Sequence, residues 1–570
     1  MATKSSWTLG RTISTGTRGM TAAKTPQAAV AGAKVLARGG NAVDAAVTTA
    51  AVAWVAEPWM NGPGGGGYMI VHTPDGRDAV IEFPMVAAKA ANPGMFELAK
   101  TTKDSELFGW ASVVDNANIV GPRSTAVPGS VAGLAKALEL FGTISLAQAL
   151  EPAIALAEEG IPVTWHWSLE VGRDLGNLQK YPGTKAIFLN AQGNPHFSDN
   201  VRNPQRVRNP DLARTLKTIA DQGIGAFYEG ESAATIVSYL NEHGALFSTD
   251  DFASYQATVV EPLRTNFHGY ELLTLRDATG GTTLTESMRL LAPFNIKSSG
   301  HNSPETLHLL AEAFKIAFAD RFTYLADPAK VDTPFEALLS DAYLDERRSC
   351  IKTDAASPAR AGDRSSLGVT HDLAPSMPEY TSGGSTTHLG AFDDSGMAVT
   401  LTQTLLSLWG SRVVVPGTGV MMNNGMMWFD PEPGRPNSVG GGKRPLSNMC
   451  PALILKDGQA FASLGASGGR KIINCVAQLA MNLVDHGFDM QEATAAPRID
   501  ASTPELIVSE RIASATIDQL RSLGHNLVIS EETLLPGDFA SPANIQRIAD
   551  GSFRGGVDQF YFPATAVGVD

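Results

Sequence analysis

Apolar positions along this chain follow two periods, one helical and one of strands. Ala28–Ala37 and Val43–Ala56 carry the closely spaced small apolar residues of packed helices, punctuated by Gly39-Gly40 and closed at Pro58, where a helix cannot continue. Tyr68–His72 and Ala79–Phe83 are short apolar runs either side of Pro74-Asp75-Gly76, which predicts a β-hairpin. From about residue 125 to 345 the pattern is mostly helical. Its clearest helix opens at Ser303-Pro304, serine as N-cap and proline at the first helical position, and continues through Leu307, Leu310, Ala311, Phe314, Ile316 and Ala317. Between 353 and 384 the period disappears into Ser, Pro, Ala, Gly and charges, the composition of an exposed, mobile linker. Thr386–Phe392, Asp393-Asp394-Ser395-Gly396 and Met397–Leu405 then read as strand, tight turn and strand. Strands at Ala452–Leu455, Ala460–Leu464 and Phe560–Phe562, with helices near 470–486 and 515–523, complete the chain, and no internal repeat occurs.

Composition narrows the function. A chain of 570 residues exceeds the size of one simple core, so two core regions or one layered core are expected. With 43% apolar and 18% charged residues it has the balance of a soluble enzyme. A net charge of -14 excludes nucleic acid as a partner, because phosphate binding needs a basic surface. The three cysteines lack CxxC spacing and cannot all pair, which favours a reducing compartment. Residues 1–20 lack the apolar core of a signal peptide, and Ala45–Ala56 is too short to span a bilayer. A cytoplasmic protein with no membrane partner is expected.

Four features bear on chemistry. Gly62-Pro63-Gly64-Gly65-Gly66-Gly67 fits GxGxxG, but it follows a helix and leads into a strand, the reverse of a dinucleotide site, so it reads as a close-packed turn. Gly465-Ala466-Ser467-Gly468-Gly469 fits GxSxG between a strand and a helix. Ser467 could be a nucleophile there, yet only His486 and His525 follow it. The favoured reading is that the N–H groups of Gly468 and Gly469, at a helix N-terminus, hold a developing oxyanion. Gly383-Gly384-Ser385 leads into Thr386-Thr387-His388 where the linker ends and a hairpin begins. A cut before Thr386 frees an α-amine with a pKa of about 8 beside the threonine hydroxyl, so one residue supplies nucleophile and base. The eleven histidines are scattered without HExxH or ligand spacing; no metal and no cofactor are expected.

With these residues placed, the chain resembles the gamma-glutamyltransferase family over almost its whole length. The matching blocks are Gly39–Ala46, the glycine turn at 62–67, Ala311–Arg321, Ser385–His388, Asn423-Asn424, Lys443–Ser447, Gly468-Gly469 and Glu492–Arg498. The resemblance implies an α+β fold, a four-layer αββα sandwich of the N-terminal-nucleophile hydrolases. It also implies a proenzyme that splits into a large chain, 1–385, and a small chain, 386–570, the two remaining partners. Position by position, Thr386 matches the nucleophile, Thr404 the threonine that bonds to it, and Gly468 and Gly469 the oxyanion pair. Ser447 matches one residue of a serine pair beside the substrate carboxylate; the other is Asn448 here.

The departures concern the substrate. Gamma-glutamyl enzymes grip the α-carboxylate with an arginine, which falls at Pro84, and the α-amine with asparagine, glutamine and aspartate, which fall at Leu406, Gly425 and Trp428. With these anchors replaced, the resemblance is to the acylase-like branch, including cephalosporin acylases, and to the homologues of 4-alkylproline pathways that hydrolyse a carbon–carbon bond beside a carbonyl. The expected reaction is amide cleavage of a small-molecule substrate through a threonyl ester, with transfer to water or an amine. Cleavage of a C–C bond by the same threonine is the alternative. An inactive binding protein and a Ser467 hydrolase are the readings from other classes.

Overall fold

The computed structural model describes residues 9–103, 110–200, 202–369, 385–535 and 537–570. Two antiparallel sheets lie face to face at its centre. The first has seven strands in the order Thr565–Val569, Gly19–Ala23, Thr387–Asp393, Ala398–Thr404, Gly66–His72, Asp78–Phe83 and Thr258–Val260. The second runs Ser14–Gly16, Phe553–Val557, Ser541–Arg547, Gln459–Leu464, Ala452–Lys456, Tyr270–Thr274 and Leu263–Phe267, with Ala466–Ser467 also paired to Ser541–Arg547. Helices Pro26–Ala37 and Ala42–Ala56 cover the first sheet; Gly280–Leu291 and Lys471–Val484, backed by Pro304–Tyr324, cover the second. The expected four layers, helix, sheet, sheet, helix, are those of the N-terminal-nucleophile fold.

Side-chain size explains the stacking. Every residue of Ala42–Ala56 is buried, and apart from Trp54 and Asp44 all are Ala, Val or Thr. Such a helix, apolar on all sides, fits between a sheet and other helices. It starts at a capping box in which Asn41 and Asp44 satisfy each other's backbone N–H groups. The central strands Gly66–His72, Thr387–Asp393 and Ala398–Thr404 are buried throughout, and alternation sorts their side chains. Gln403 donates to the Ala50 carbonyl of the covering helix. Thr400 donates to Leu464 of the opposite sheet. Thr386, His388, Thr402 and Thr404 share the parity of Thr400 and so belong to the face between the sheets.

The glycine turn behaves as its order of elements required. A Cβ on Gly64 would lie 2.2 Å from the Met421 carbonyl oxygen and one on Gly65 2.4 Å from that of Thr404; these glycines permit close backbone approach. Two expectations need correction. Phe560–Phe562 is a turn, and the C-terminal strands are Ser541–Arg547, Phe553–Val557 and Thr565–Val569. Of the 353–384 linker, residues 353–369 are docked: Ser357 N–H donates to Glu312 Oε2, Gly362 N–H to Asp320 Oδ1, and Leu367 is buried. Buried acids on Pro304–Tyr324 capture that backbone, which composition does not reveal. Residues 370–384 lie outside the described residues. Among the described residues no helix is long and apolar enough to cross a membrane.

Candidate active site

Pairing of Thr387 with Gln403 aligns the start of one strand with the end of its neighbour and sets Thr386 beside Thr404. Both are buried. Thr386 Oγ1 donates to the Ser385 carbonyl oxygen at 2.6 Å, and Thr404 Oγ1 donates to the same oxygen at 2.7 Å. The two hydroxyl oxygens are 3.3 Å apart. Thr404 Oγ1 in turn accepts the Leu406 N–H at 2.8 Å, which aims its proton at the carbonyl. The Ser385 carbonyl is therefore polarised by two hydroxyls, one belonging to the next residue. Ser385 Oγ donates to the Trp59 carbonyl at 2.9 Å and contacts Met60 Sδ. Trp59 packs against Trp167 and Trp409 with ring centroids 5.4 and 6.0 Å away. The Ser385–Thr386 peptide thus sits in a low-dielectric, aromatic setting.

The chain turns sharply after Thr404. Leu406 adopts φ +97, a left-handed conformation that costs a branched residue about 1–3 kcal/mol and occurs mainly where surrounding contacts impose it. Here the contacts come from Asn424, whose Oδ1 accepts the Ser407 N–H and whose Nδ2 donates to Ser407 Oγ and Ile119 O. Asn423 braces the next turn, donating to Gly64 O and Ala126 O and accepting the Gly425 N–H.

The substrate positions expected from the sequence gather in two places. Thr404 pairs with Gly66, and a Cβ on Gly66 would touch Met85 N and the Pro84 carbonyl carbon, so Thr404, Gly66 and Pro84, just past the end of Asp78–Phe83, lie in a row. That row spans about 10 Å at the usual strand spacing. Gly425 packs on Ala126 and Met85, and Trp428, buried with its Nε1 unpartnered, closes the same short turn. Ser447 and Asn448 are tied instead to Arg321, which donates to Ser447 O at 2.6 Å, Asn448 Oδ1 at 2.9 Å and Thr279 O at 2.7 Å. Burial lowers the Arg321 pKa to about 9. Arg412 and Arg444 are committed elsewhere, to Asp174 and Glu82.

Gly468 and Gly469 open the Lys471–Val484 helix. Gly468 has φ +144, and a Cβ there would lie 2.7 Å from Ala540 Cα, so only glycine fits. Gly468 lines a cavity with Met60, Ser467, Ser541 and Tyr561, and Met60 connects that cavity to Ser385. Ser467 Oγ donates to the Ser541 carbonyl at 3.3 Å. No histidine hydrogen-bonds to it among the described residues, so the base of a serine elbow is missing.

A buried acid and base flank this region without a sequence signal beyond the Glu57-Pro58 helix stop. Glu57, wholly buried, accepts from Thr387 Oγ1 on the helix side of the strand. Burial raises its pKa to about 8, opposed by the Thr387 bond and Lys24. Lys24 lies over the Tyr561 ring at 3.8 Å and donates to Ser541; burial lowers its pKa to about 8. Since Glu57 holds its proton above the unfolded pKa, the folded state binds the extra proton, and stability from this group is lost as pH rises from about 4.5 to 8. Glu57→Gln copies the protonated acid and keeps an acceptor for Thr387. Melts at pH 5.5 and 8 are expected to show wild type losing stability relative to Glu57→Gln, by at most about 1.4 kcal/mol per pH unit; parallel losses would assign Glu57 as ionised throughout.

A family model described as Gamma-glutamyltranspeptidase matches residues 28–559. The "Acylase ACY 1 proenzyme" of Pseudomonas sp. (strain SE83) is 37% identical over 516 residues, covering 90% of this chain and 88% of that protein. The "Glutathione hydrolase proenzyme" of Bacillus subtilis (strain 168) is 32% identical over 556 residues, covering 96% and 91%. Among solved structures, cephalosporin acylase from Bacillus halodurans superposes with a TM-score of 0.84 at 26% identity, covering 100% of this chain and 99% of that one.

Proposed function

Because the chain belongs to the gamma-glutamyltranspeptidase family, whose members are N-terminal-nucleophile amidohydrolases and acyltransferases, we propose that it cuts itself between Ser385 and Thr386 and then hydrolyses amides as an acylase. The observation that carries this reading is the pair of hydroxyls on the Ser385 carbonyl. Thr386 Oγ1 adds to that carbonyl carbon while Thr404 stabilises the oxygen. The Thr386 amide nitrogen leaves with a proton, and the resulting Ser385 ester is opened by water. The product is a large chain, 1–385, held to a small chain, 386–570. The freed α-amine then accepts the Oγ proton as Thr386 attacks a substrate amide, the Gly468 and Gly469 N–H groups take the oxyanion, the amine product leaves with the proton, and water cleaves the threonyl ester to release the acid and restore Thr386.

Pro84, Leu406, Gly425 and Trp428 put uncharged residues where the family's glutamyl specificity needs charge, and Ser447 and Asn448 are bound to Arg321. This supports an acyl group without a free amino-acid head, in line with the likeness to an acylase proenzyme and a cephalosporin acylase. The test is a denaturing gel of purified protein, with two bands expected and N-terminal sequencing of the smaller reading Thr-Thr-His-Leu. Ser467→Ala is expected to stay cleaved and to keep activity within about threefold of wild type, since its hydroxyl only tethers the carbonyl of its strand partner Ser541. An uncut but active wild-type chain that loses activity in Ser467→Ala would reverse the assignment.

A further inference from the structure

The helix Pro304–Tyr324 carries His308 and Glu312 one turn apart, so both project from the same face. The turn after the Ser514–Ser522 helix brings His525 against them. One donor atom from each lies within 4.8 Å of the other two, and all three residues are buried. His308 Nδ1 is 2.8 Å from His525 Nε2.

The surrounding bonds orient these donors. His308 Nε2 lies 2.6 Å from the Lys352 carbonyl oxygen. A carbonyl only accepts, so Nε2 carries the proton and, in the neutral ring, Nδ1 accepts the His525 Nε2–H; a metal takes both nitrogens when that proton shifts to His525 Nδ1. Glu312 Oε2 accepts the Ser357 N–H at 3.0 Å, while Oε1 has no hydrogen-bond partner beyond its ion pair with Lys315. Outer partners that fix a ring's tautomer and a carboxylate's direction while leaving one lone pair each are the usual supports of metal ligands. The Lys315 ammonium also donates to Ser357 O at 2.6 Å, so it can leave Glu312 without losing every partner. A surface cleft of about 410 Å³, lined by Lys315, Ser357, Pro504, Glu505 and His525 among others, gives an entry path.

We propose that His308, Glu312 and His525 form a binding site for a divalent transition metal of the zinc class, with its fourth position open to the cleft. Two imidazoles and a carboxylate suit zinc, whose nitrogen ligands sit about 2.0–2.1 Å from the metal. Tetrahedral coordination at that distance separates two nitrogens by about 3.3 Å, so the rings need part by only about half an ångström. His308 and Glu312 belong to the large chain and His525 to the small one. A metal there clamps the two chains beside the docked 353–369 segment. The clamping rests on the Ser385–Thr386 cut; the binding does not.

The test uses untagged full-length protein stripped by a chelator, both as wild type and as uncut Thr386→Ala. Titration with Co2+ is expected to give the visible absorption of a four-coordinate ion at one equivalent, bleached by one equivalent of Zn2+, in both proteins. His308→Gln and His525→Gln are each expected to weaken binding at least tenfold. Lys315→Met, which removes the competing ammonium and leaves both histidines in place, is expected to tighten it. Absence of the Co2+ signal, wild-type affinity in either glutamine variant, or no tightening in Lys315→Met would each overturn the site.

Discussion

Thr386→Ala is expected to yield a single uncut chain and to lose amidase activity by at least about 10⁴-fold, the scale on which removing a nucleophile from such machinery acts. The substitution deletes the hydroxyl that lies 2.6 Å from the Ser385 carbonyl oxygen, and Thr404 alone only hydrogen-bonds to that oxygen. The cut also creates the base, so an uncut chain lacks two catalytic groups at once. Thr386→Ser is expected to be cut slowly, because the same attack remains available with a hydroxyl less well fixed than the β-branched one. Gel analysis after timed incubation and activity on an N-acyl amide check both variants, and circular dichroism establishes that each is folded. Full activity in uncut Thr386→Ala would move the chemistry elsewhere.

Gamma-glutamyl-p-nitroanilide is expected to have a kcat/KM about 30- to several-thousand-fold below the best N-acyl anilide of similar size. That range converts the loss of about 2–5 kcal/mol that follows when a desolvated charge loses its partner. The glutamyl head needs a cation for its carboxylate and acceptors for its ammonium. Pro84, Leu406, Gly425 and Trp428 supply neither. The cations that could have moved in are occupied: Arg412 by Asp174, Arg444 by Glu82, and Arg321 by oxygen acceptors that include Ser447 and Asn448. Steady-state kinetics on a panel of anilides differing only in the acyl group checks this. Efficient turnover of the glutamyl compound would mean that one of these arginines exchanges partners on binding.

Local pattern carried the strand–turn–strand after Thr386, the hairpin around Asp75 and the capped helix at Ser303, because each depends on neighbours in sequence. It failed at Ser541–Arg547, whose Ser, Pro, Ala and Asn are weak strand formers, and at the short run Thr565–Val569; the pairing of both is decided by the sheets they complete. It failed again at 353–369, a segment with linker composition held by Glu312 and Asp320 from a distant helix. Glu57 and Lys24 were illegible as a pair, since only the fold brings a helix end and a strand end to Thr387 and Ser541. The same holds for His308 and His525, 217 residues apart. One helical turn between His308 and Glu312 is too common a spacing to mark a site without the third residue.

The order of strands has a consequence for the life of the protein. In the first sheet, pieces from before residue 386 and pieces from after it interleave: Thr565–Val569, then Gly19–Ala23, then Thr387–Asp393 and Ala398–Thr404, then Gly66–His72. The continuous chain can assemble this weave as one molecule, with loop closure limiting the search. Under the proposed cut between Ser385 and Thr386, the two pieces remain threaded together, but if they unfold they must find each other again by collision. On that proposal maturation is a one-way ratchet, trading the ability to refold for activity, and the persistence of the cut protein is set by how slowly it unfolds.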